Sequence, residues 1–197
     1  MAIQTTIQER RTVRELETTS IPRETLYKLL EIASYAPFHS KQEPWHVTII
    51  EDPNEKQHFL EQVLVSYQRT GVTSNYTEEQ HEKLRQSYTS YYHDTPLHLL
   101  VTTDREDTEK KQLESVGATS AFIQNLQLSA WEEEIGVVWR TNPYIFDEEF
   151  GRAMGVPEDQ KMIGSLHLGY PKRVPKKKER KSVESWTQTL NQVLGIE

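Results

Sequence analysis

Three arginines and one threonine lie within five residues near the start of the chain. The segment reads Arg10-Arg11-Thr12-Val13-Arg14, and a predicted amphipathic helix follows it. A guanidinium group is a planar, permanently charged fork that matches phosphate oxygens, and the hydroxyl of Thr12 adds another donor. The segment therefore favours a site for a phosphate-bearing cofactor, although the same arginines would also suit a solvated helix end.

The length, charge and composition of the chain exclude several classes of protein. The chain has 197 residues, a formal net charge of -7 and no cysteine. This length can bury one sizeable core, and no Pro/Gly/Ser-rich linker divides it, so residues 1–197 are expected to form one domain. The negative charge argues against a dedicated nucleic-acid binder. Disulfides, thiolate metal sites and cysteine nucleophiles are excluded because there is no thiol.

Several further signals are absent from the sequence. The N-terminus has no apolar signal-peptide core, and no apolar run approaches the roughly 20 residues that span a bilayer. We therefore expect a soluble, cytoplasmic protein with no membrane partner. The seven histidines show no metal-ligand spacing, so no metal site is predicted. The glycine-rich loops of Rossmann and P-loop nucleotide sites are also missing.

The hydrophobic periodicity predicts alternating helices and short strands. Helices are predicted at 22–36, from Asp52-Pro53 onward, at 77–93, 118–131 and 147–154, and from Ser182 onward. Strands are predicted at 47–50, 97–101 and 162–168, and a short one ends at 139–141. The helix at 118–131 carries apolar residues on too many faces for one face to be exposed to solvent, so we expect it to be buried at the centre of the fold.

The arginine segment is followed by a series of short motifs. They are an Ala-Pro turn, a Pro-Trp pair, a Gly-Ala helix start, a Gln-Asn pair, a Gly-Val-Val-Trp strand, a Gly-Val-Pro turn, a Leu-Gly-Tyr-Pro segment and a late Lys-x-Arg, at residues 36–37, 44–45, 117–118, 124–125, 136–139, 155–157, 168–171 and 178–180. The order of these motifs along nearly the whole chain resembles the FMN-dependent nitroreductase family. The Ala-Pro-x-His turn and Trp139-Arg140-Thr141 are most similar to a compact single-domain subgroup of NAD(P)H nitroreductases.

This resemblance implies a fold and an activity. The fold would be α+β, with a mostly antiparallel central sheet flanked by helices, in an intertwined homodimer that holds one FMN in each of two interface sites. The activity would be a ping-pong oxidoreductase reaction. NADPH or NADH would pass hydride to flavin N5, and a nitroaromatic, quinone or similar small acceptor would then take the electrons in the same slot. No side chain is needed as a covalent nucleophile, and no catalytic acid or base is named.

The resemblance also implies which residues bind the cofactor. They are Arg10, Arg11, Thr12, Arg14, His39, Trp139, Arg140, Thr141, Lys178 and Arg180. Arg10 and Thr12 match residues that hold the ribityl phosphate, and Arg14 matches a cation at the pyrimidine edge of the flavin. His39 would reach the flavin from the opposite subunit.

Several of these residues could instead have an ordinary structural role. Lys178 and Arg180 match a second phosphate clamp, but they lie in the basic run 172–181, and such runs are often solvated tails. Trp139 could pack in the core and Arg140 could form a surface ion pair. The tyrosines of the helix at 77–93 are either a substrate-side wall or ordinary packing; they are Tyr88, Tyr91 and Tyr92.

Two other functions stay open. The turn at 37–45 departs from the family pattern at Phe38, Lys41 and Glu43, where small polar groups are expected. A flavin carrier or redox sensor without efficient turnover is therefore the alternative. An interaction protein that uses the 172–181 run on nucleic acid or anionic lipid ranks last, because aromatic side chains for base stacking are missing there.

Overall fold

The computed structural model describes residues 2–39 and 43–195. The helices within these ranges are α1 (Ile3–Glu9), α2 (Arg23–Ala33), α3 (Pro53–Arg69), α4 (Glu78–Asp94), α5 (Glu109–Glu132), α6 (Glu148–Ala153) and α7 (Leu190–Leu194). The strands are β1 (Trp45–Ile50), β2 (Leu97–Asp104), β3 (Gly136–Arg140) and β4 (Gln160–Gly169). Single 3-10 turns span Pro143–Phe146 and Val183–Ser185.

The four strands form one sheet in the order β1-β2-β4-β3, and every neighbouring pair is antiparallel. Helices cover both faces of this sheet. The predicted α+β fold with an antiparallel central sheet is therefore confirmed. The register places alternate residues of each strand on opposite faces, and this alternation decides which side chains near the end of β3 can reach a common cavity.

Two apolar cores lie on the two faces of the sheet. The first core joins the sheet to α2 and α5, and its fully buried side chains include Leu29, Ala33, Leu99, Val101, Ile123, Leu126, Ala130, Leu166 and Leu168. The second core joins the sheet to α3, α4 and α6, and it includes Phe59, Leu60, Val63, Tyr92, Leu100, Tyr144 and Phe150. The prediction that the helix at 118–131 is central is confirmed, because α5 supplies much of the first core.

Side-chain caps explain where several helices begin. Asp52 accepts a hydrogen bond from the Asn54 amide and forms a capping box that starts α3, as the Asp-Pro pair predicts. Asp147 caps α6 in the predicted place. Thr108 caps α5, which therefore begins nine residues before the predicted position. No helix within the described ranges combines the length and the hydropathy needed to cross a bilayer.

The two ends of the chain differ from the prediction. Helix α1 was not expected, and it is stabilised by contact with α5, where the Thr6 hydroxyl donates to Glu132. The helix predicted from Ser182 onward is wrong over residues 182–189, since only Leu190–Leu194 is α-helical. Its apolar side chains, including Trp186, remain exposed. An isolated amphipathic segment has no packed face to offset the cost of helix nucleation.

A chain of buried hydrogen bonds crosses the second core. His98 and His167 are register partners on β2 and β4, and their Nδ1 atoms lie 2.9 Å apart. Nε2 of His98 donates to the Tyr92 carbonyl at 2.8 Å. In a neutral ring Nδ1 of His98 must then accept, so the proton between the two Nδ1 atoms is bound to Nδ1 of His167. The Tyr144 hydroxyl then donates to Ser165 at 2.7 Å, and Ser165 donates to Nε2 of His167 at 3.0 Å. Burial lowers the pKa of both histidines, so both rings are neutral.

We expect the free energy of unfolding to fall as the pH drops below about 6.5. In the folded chain the pKa of His98 is about 3, and the pKa of His167 also lies well below its usual value. Below about pH 6.5 the unfolded chain therefore binds more protons than the folded chain. Each histidine then lowers the free energy of unfolding by up to about 1.4 kcal/mol per pH unit. Urea unfolding at steps from about pH 7.5 to about pH 4.5 measures the slope.

His81 of α4, whose half-buried imidazole lies beside the Tyr76 ring and outside the buried hydrogen-bond chain, provides the control for this experiment. A His81→Gln variant should keep the slope of the wild-type protein. An unfolding free energy that stays constant between neutral pH and about pH 5 would contradict the neutral, buried histidine pair.

Candidate functional site

One buried valine attaches the arginine segment to the sheet. Val13 is 0% exposed and packs directly on Gly136 of β3, where an added Cβ would lie 2.6 Å from the Val13 Cβ. The Val13 amide donates to the Val137 carbonyl at 3.4 Å. Only glycine leaves room for this approach. Because Val13 points into the protein, its neighbours Thr12 and Arg14 point outward along the same edge.

A second pairing brings the basic run 172–181 beside the arginine segment. The Glu17 amide donates to the Tyr170 carbonyl at 2.7 Å, and the Lys172 amide donates to the Glu15 carbonyl at 2.9 Å. Further along, Lys177 lies 3.3 Å from Glu9. The two cation-rich segments, far apart in sequence, therefore run together on one surface.

Arg10 lies at the point where the two segments meet. Its guanidinium is half-buried, and burial together with the nearby charges of Arg180 and Arg11 lowers its pKa. Its Nε atom is buried and has no hydrogen-bond partner within residues 2–39 and 43–195. Cations crowded in this way without an anion disfavour one another, so the arrangement is suited to a ligand that carries negative charge.

An open cavity of about 420 Å³ lies beside Arg10. Its lining residues come from the arginine segment, α5 and the end of β3; they are Arg10, Thr12, Gln124, Gln127, Trp139 and Thr141. We call this the Arg10 cavity. Four of the ten predicted cofactor residues therefore share one cavity, although they are separated by more than 120 residues in the chain.

Trp139 gives this cavity an apolar wall with one unused donor. Its indole lies over Gly164 of β4, where an added Cβ would be 2.2 Å from the indole nitrogen. That nitrogen is buried and has no partner among the described residues. A buried N–H normally finds an acceptor. Trp139 also packs against the first core, so the structure shows both a packing contact and a place at the cavity wall for this residue.

Arg14 lines an adjacent cavity of about 260 Å³ that shares Thr12 with the Arg10 cavity. The other lining residues are Glu15, Arg173, Pro175 and Lys176. Three cations and one carboxylate face this space. Arg14 therefore lies next to the Arg10 cavity, within the same strip of positive charge.

Five of the ten predicted residues do not line these two cavities; they are Arg11, His39, Arg140, Lys178 and Arg180. The Arg11 Nη1 donates to the carbonyls of Gln8 and Arg10 at 2.8 and 2.9 Å, so it caps the end of α1. Arg140 lies on the opposite face of the sheet, with its guanidinium carbon 4.7 Å from the centre of the Tyr91 ring. That contact is a cation–π contact rather than the surface ion pair considered as its alternative. Lys178 is exposed.

His39 lies at a different cavity, of about 510 Å³, between the end of the 37–45 turn and the start of α5. Its Nδ1 is 4.0 Å from a carboxylate oxygen of Glu114. Of the three residues where this turn departs from the family pattern, Lys41 falls outside the described ranges. Phe38 packs edge-on against Trp45 with ring centres 5.7 Å apart. Aromatic packing thus occupies a place where small polar side chains were expected.

The tyrosines of α4 serve mainly as packing. Tyr92 is buried against Phe59, and Tyr88 contacts Tyr67 with ring centres 6.0 Å apart. The packing alternative is therefore confirmed for these two residues. In the described part of the chain, no group of three or more His, Asp or Glu side chains is placed to hold a metal ion.

Sequence reasoning missed several residues that line the cavities. Gln127 was available as a signal, because it is a polar side chain in the most apolar stretch of α5. Arg173 and Lys176 were hidden in a basic run that looks like a solvated tail. Gly136 belongs to the Gly-Val-Val-Trp motif, but its contact with Val13, 123 positions away, has no local signal in the sequence.

Comparisons with known proteins agree on one family. The model of the nitroreductase family matches residues 7–170. YfhC of Bacillus subtilis (strain 168), assigned by name to the NAD(P)H nitroreductases, is 30% identical over 174 residues, which cover 88% of this chain and 87% of that protein.

Two solved structures are similar over almost their full lengths. A nitroreductase-like family protein from Bacillus cereus has a TM-score of 0.85 and 28% identity, and the match covers 96% of both chains. A nitroreductase with bound FMN from Bacteroides fragilis has a TM-score of 0.70 and 26% identity, covering 96% of this chain and 98% of that chain.

We expect Gly136→Ala to lower the free energy of unfolding by about 1–3 kcal/mol, because the new methyl group would overlap Val13 and push the arginine segment off the sheet. Gly117→Ala is the matched control, since no atom lies within 4 Å of a Cβ at that helical position. It should stabilise the protein by about 0.5–1 kcal/mol. Urea unfolding of the two variants tests this, and equal stabilities would contradict the Val13–Gly136 contact.

Proposed function

The chain belongs to the nitroreductase family, and on that premise we propose that it is an FMN-dependent NAD(P)H oxidoreductase. Its acceptor would be a nitroaromatic, a quinone or a similar small molecule. The observation that carries the proposal is Arg10: a half-buried cation beside Arg180, with an unpartnered Nε, at the wall of an open cavity. A phosphate group would satisfy both the charge and the donor.

The other residues fit the remaining parts of FMN. Thr12 supplies a hydroxyl to the same phosphate as Arg10, and Arg180 supplies the second positive charge. Trp139 and Thr141 line the same cavity, where the indole would offer a flat apolar wall to the ring. Bound FMN would supply the hydride-accepting chemistry, and the family resemblance makes NADPH or NADH the electron donor.

Arg14 would act on the electronics of the ring. A fixed cation near the pyrimidine edge stabilises negative charge that accumulates there on reduction. The side chain is exposed and lies near Arg173 and Lys176, so the three cations outnumber the one carboxylate, Glu15, at this edge of the site. The protein thus contributes orientation and electrostatics, and no side chain is assigned as a proton donor or acceptor.

We propose that the working form is a homodimer. His39 lies at a cavity separate from the Arg10 cavity of its own chain, so it could meet a cofactor only at the site of a second subunit. The C-terminal segment beyond residue 182 also leaves large apolar side chains exposed, including Trp186 and Leu190. Packing of this segment on a second subunit would remove them from water.

A visible spectrum tests the proposed activity. The purified protein is mixed with FMN, separated from free flavin, and treated anaerobically with NADPH and then with NADH. Retained flavin that bleaches with either nucleotide is the expected result. Retained flavin that does not bleach would instead support a carrier or redox sensor, an alternative favoured by the Phe38–Trp45 packing in the altered turn. A protein that retains no flavin would contradict both functions.

We expect Arg10→Ala to weaken FMN binding by about 10- to 100-fold and to leave riboflavin binding unchanged, because only FMN carries the phosphate. Arg152→Ala is the matched control, since Arg152 is an exposed arginine on α6 that pairs with Glu149. Flavin fluorescence titration measures the affinities of the wild-type protein and of both variants for FMN and for riboflavin. Equal losses of affinity for FMN and for riboflavin would contradict the assignment of Arg10 to the phosphate.

We expect Arg14→Ala to make the midpoint potential of bound flavin more negative by about 30 mV or more, because reduced flavin would lose a neighbouring cation. The potential is measured by equilibration with a reference dye during anaerobic reduction. Lys161→Ala, at an exposed position outside the two cavities beside Arg10, is the control. An unchanged potential in Arg14→Ala would show that this arginine does not act on the ring.

A further inference from the structure

The cavity beside Arg14 holds more positive charge than the proposed binding of FMN requires. This space of about 260 Å³, which we call the Arg14 cavity, is lined by Arg14, Arg173 and Lys176 and by one carboxylate, Glu15. Three cations and one anion leave two positive charges around a small volume. When Arg14 is assigned to the flavin ring, Arg173 and Lys176 remain without a role.

The part of the basic run that lines this cavity is held at both ends. On one side the Lys172 amide donates to the Glu15 carbonyl at 2.9 Å, and on the other side Lys177 lies 3.3 Å from Glu9. Pro175 lies between these contacts, and its ring restricts the backbone further. The segment is therefore fixed beside the arginine segment, and its cations occupy defined places instead of moving as a solvated tail.

Arg173 and Lys176 have no internal counter-ion. Neither side chain forms an ion pair with another residue in the part of the chain that the structure describes, whereas the next residue, Lys177, pairs with Glu9. Cations that are held close together without a counter-ion repel one another. A bound anion would remove this repulsion, so the Arg14 cavity is suited to a negatively charged group of a ligand.

The excess of two positive charges indicates which anion fits. A phosphate monoester carries about -1.5 to -2 charges at pH 7 and three acceptor oxygens on one phosphorus atom. A carboxylate carries a single charge and two oxygens. The phosphate of FMN is already assigned to Arg10 in the neighbouring cavity. The Arg14 cavity therefore matches a second phosphate monoester.

Among the two electron donors of the proposed reaction, NADPH alone carries such a group. Both nucleotides contain a diphosphate with one negative charge on each phosphate, and they differ in the 2′-phosphate on the adenosine ribose of NADPH. The Arg14 cavity shares Thr12 with the Arg10 cavity, so its cations lie beside the site where the nucleotide must meet the flavin.

We propose that Arg173 and Lys176 bind the 2′-phosphate of NADPH and so make NADPH the preferred electron donor. This inference rests on the proposed function and narrows its donor from two nucleotides to one. The contact lies outside the reacting atoms. It should therefore change the affinity for NADPH without changing the maximal rate of hydride transfer.

Binding of nucleotide fragments to the FMN-loaded protein tests this contact without turnover. Adenosine 2′,5′-bisphosphate carries the 2′-phosphate, whereas adenosine 5′-diphosphate carries only the diphosphate that both donors share. By isothermal titration calorimetry, we expect the wild-type protein to bind the bisphosphate about fivefold or more tightly than the diphosphate. Arg173→Ala and Lys176→Ala should each weaken binding of the bisphosphate by about 3- to 10-fold and leave the diphosphate unchanged.

Flavin reduction provides the second readout. Anaerobic bleaching of the bound flavin is followed at increasing concentrations of NADPH and of NADH. Each alanine variant should need about 3- to 10-fold more NADPH for half-maximal rate, with the maximal rate and the NADH values unchanged. Arg173→Lys keeps the charge and should keep most of the preference for NADPH.

Lys181→Ala is the matched control for both measurements. Lys181 is an exposed residue of the same basic run, and it lines neither the Arg10 cavity nor the Arg14 cavity. The variant changes the net charge by the same amount as the two test variants. It should change neither the fragment affinities nor the preference for NADPH.

Three results would overturn the inference. The first is equal affinity of the wild-type protein for the bisphosphate and the diphosphate. The second is an equal loss for both fragments in the alanine variants, because the cations would then bind the diphosphate that NADH also carries. The third is the same loss in Lys181→Ala, because the effect would then come from the overall charge of the run.

The same experiments distinguish failure of this inference from failure of the proposed function. If FMN is retained and NADH bleaches it as readily as NADPH, only the assignment of Arg173 and Lys176 is wrong. If the protein retains no FMN, or retains FMN that neither nucleotide bleaches, the proposed function is wrong and this inference is wrong with it.

Discussion

The packing of Val13 on Gly136 is the contact on which the candidate site depends. One fully buried side chain fixes a short segment against the edge of the sheet, and the missing side chain at Gly136 allows the approach. Because Val13 faces inward, Thr12 and Arg14 are presented outward at fixed positions. This apolar contact takes no part in the chemistry of the site, but it fixes the positions of the charged residues around it.

Charge is distributed unevenly over this acidic chain. The formal net charge is -7, yet seven of the ten residues at 172–181 are basic, and they run beside the three arginines of the N-terminal segment. Burial, and after it the charges of Arg180 and Arg11, lower the pKa of Arg10, because neighbouring cations repel one another. Such an arrangement lowers the stability of the unliganded protein and is typical of sites for phosphate-bearing ligands.

Local sequence signals predicted much of the fold and part of the site. The caps at Asp52 and Asp147 and the apolar runs of β2 and β4 predicted elements that the structure contains, because those signals act within a few residues. The motifs also indicated Arg10, Thr12, Trp139 and Thr141, which share a cavity. Arg140 shows what a motif cannot predict, namely the face of the sheet on which a strand residue lies. Strand alternation places Arg140 on the face opposite Trp139, over the Tyr91 ring. Gln127 likewise required knowledge of which side of α5 faces the cavity.

A crystal structure of the protein with FMN would test the central claim most directly. The account predicts the phosphate of FMN within hydrogen-bonding distance of the Arg10 guanidinium and the Thr12 hydroxyl, with Val13 still packed on Gly136. It also predicts Arg180 beside the same phosphate. An FMN phosphate bound elsewhere, with the Arg10 Nε still lacking a partner, would contradict the claim that the paired cationic segments form the cofactor site.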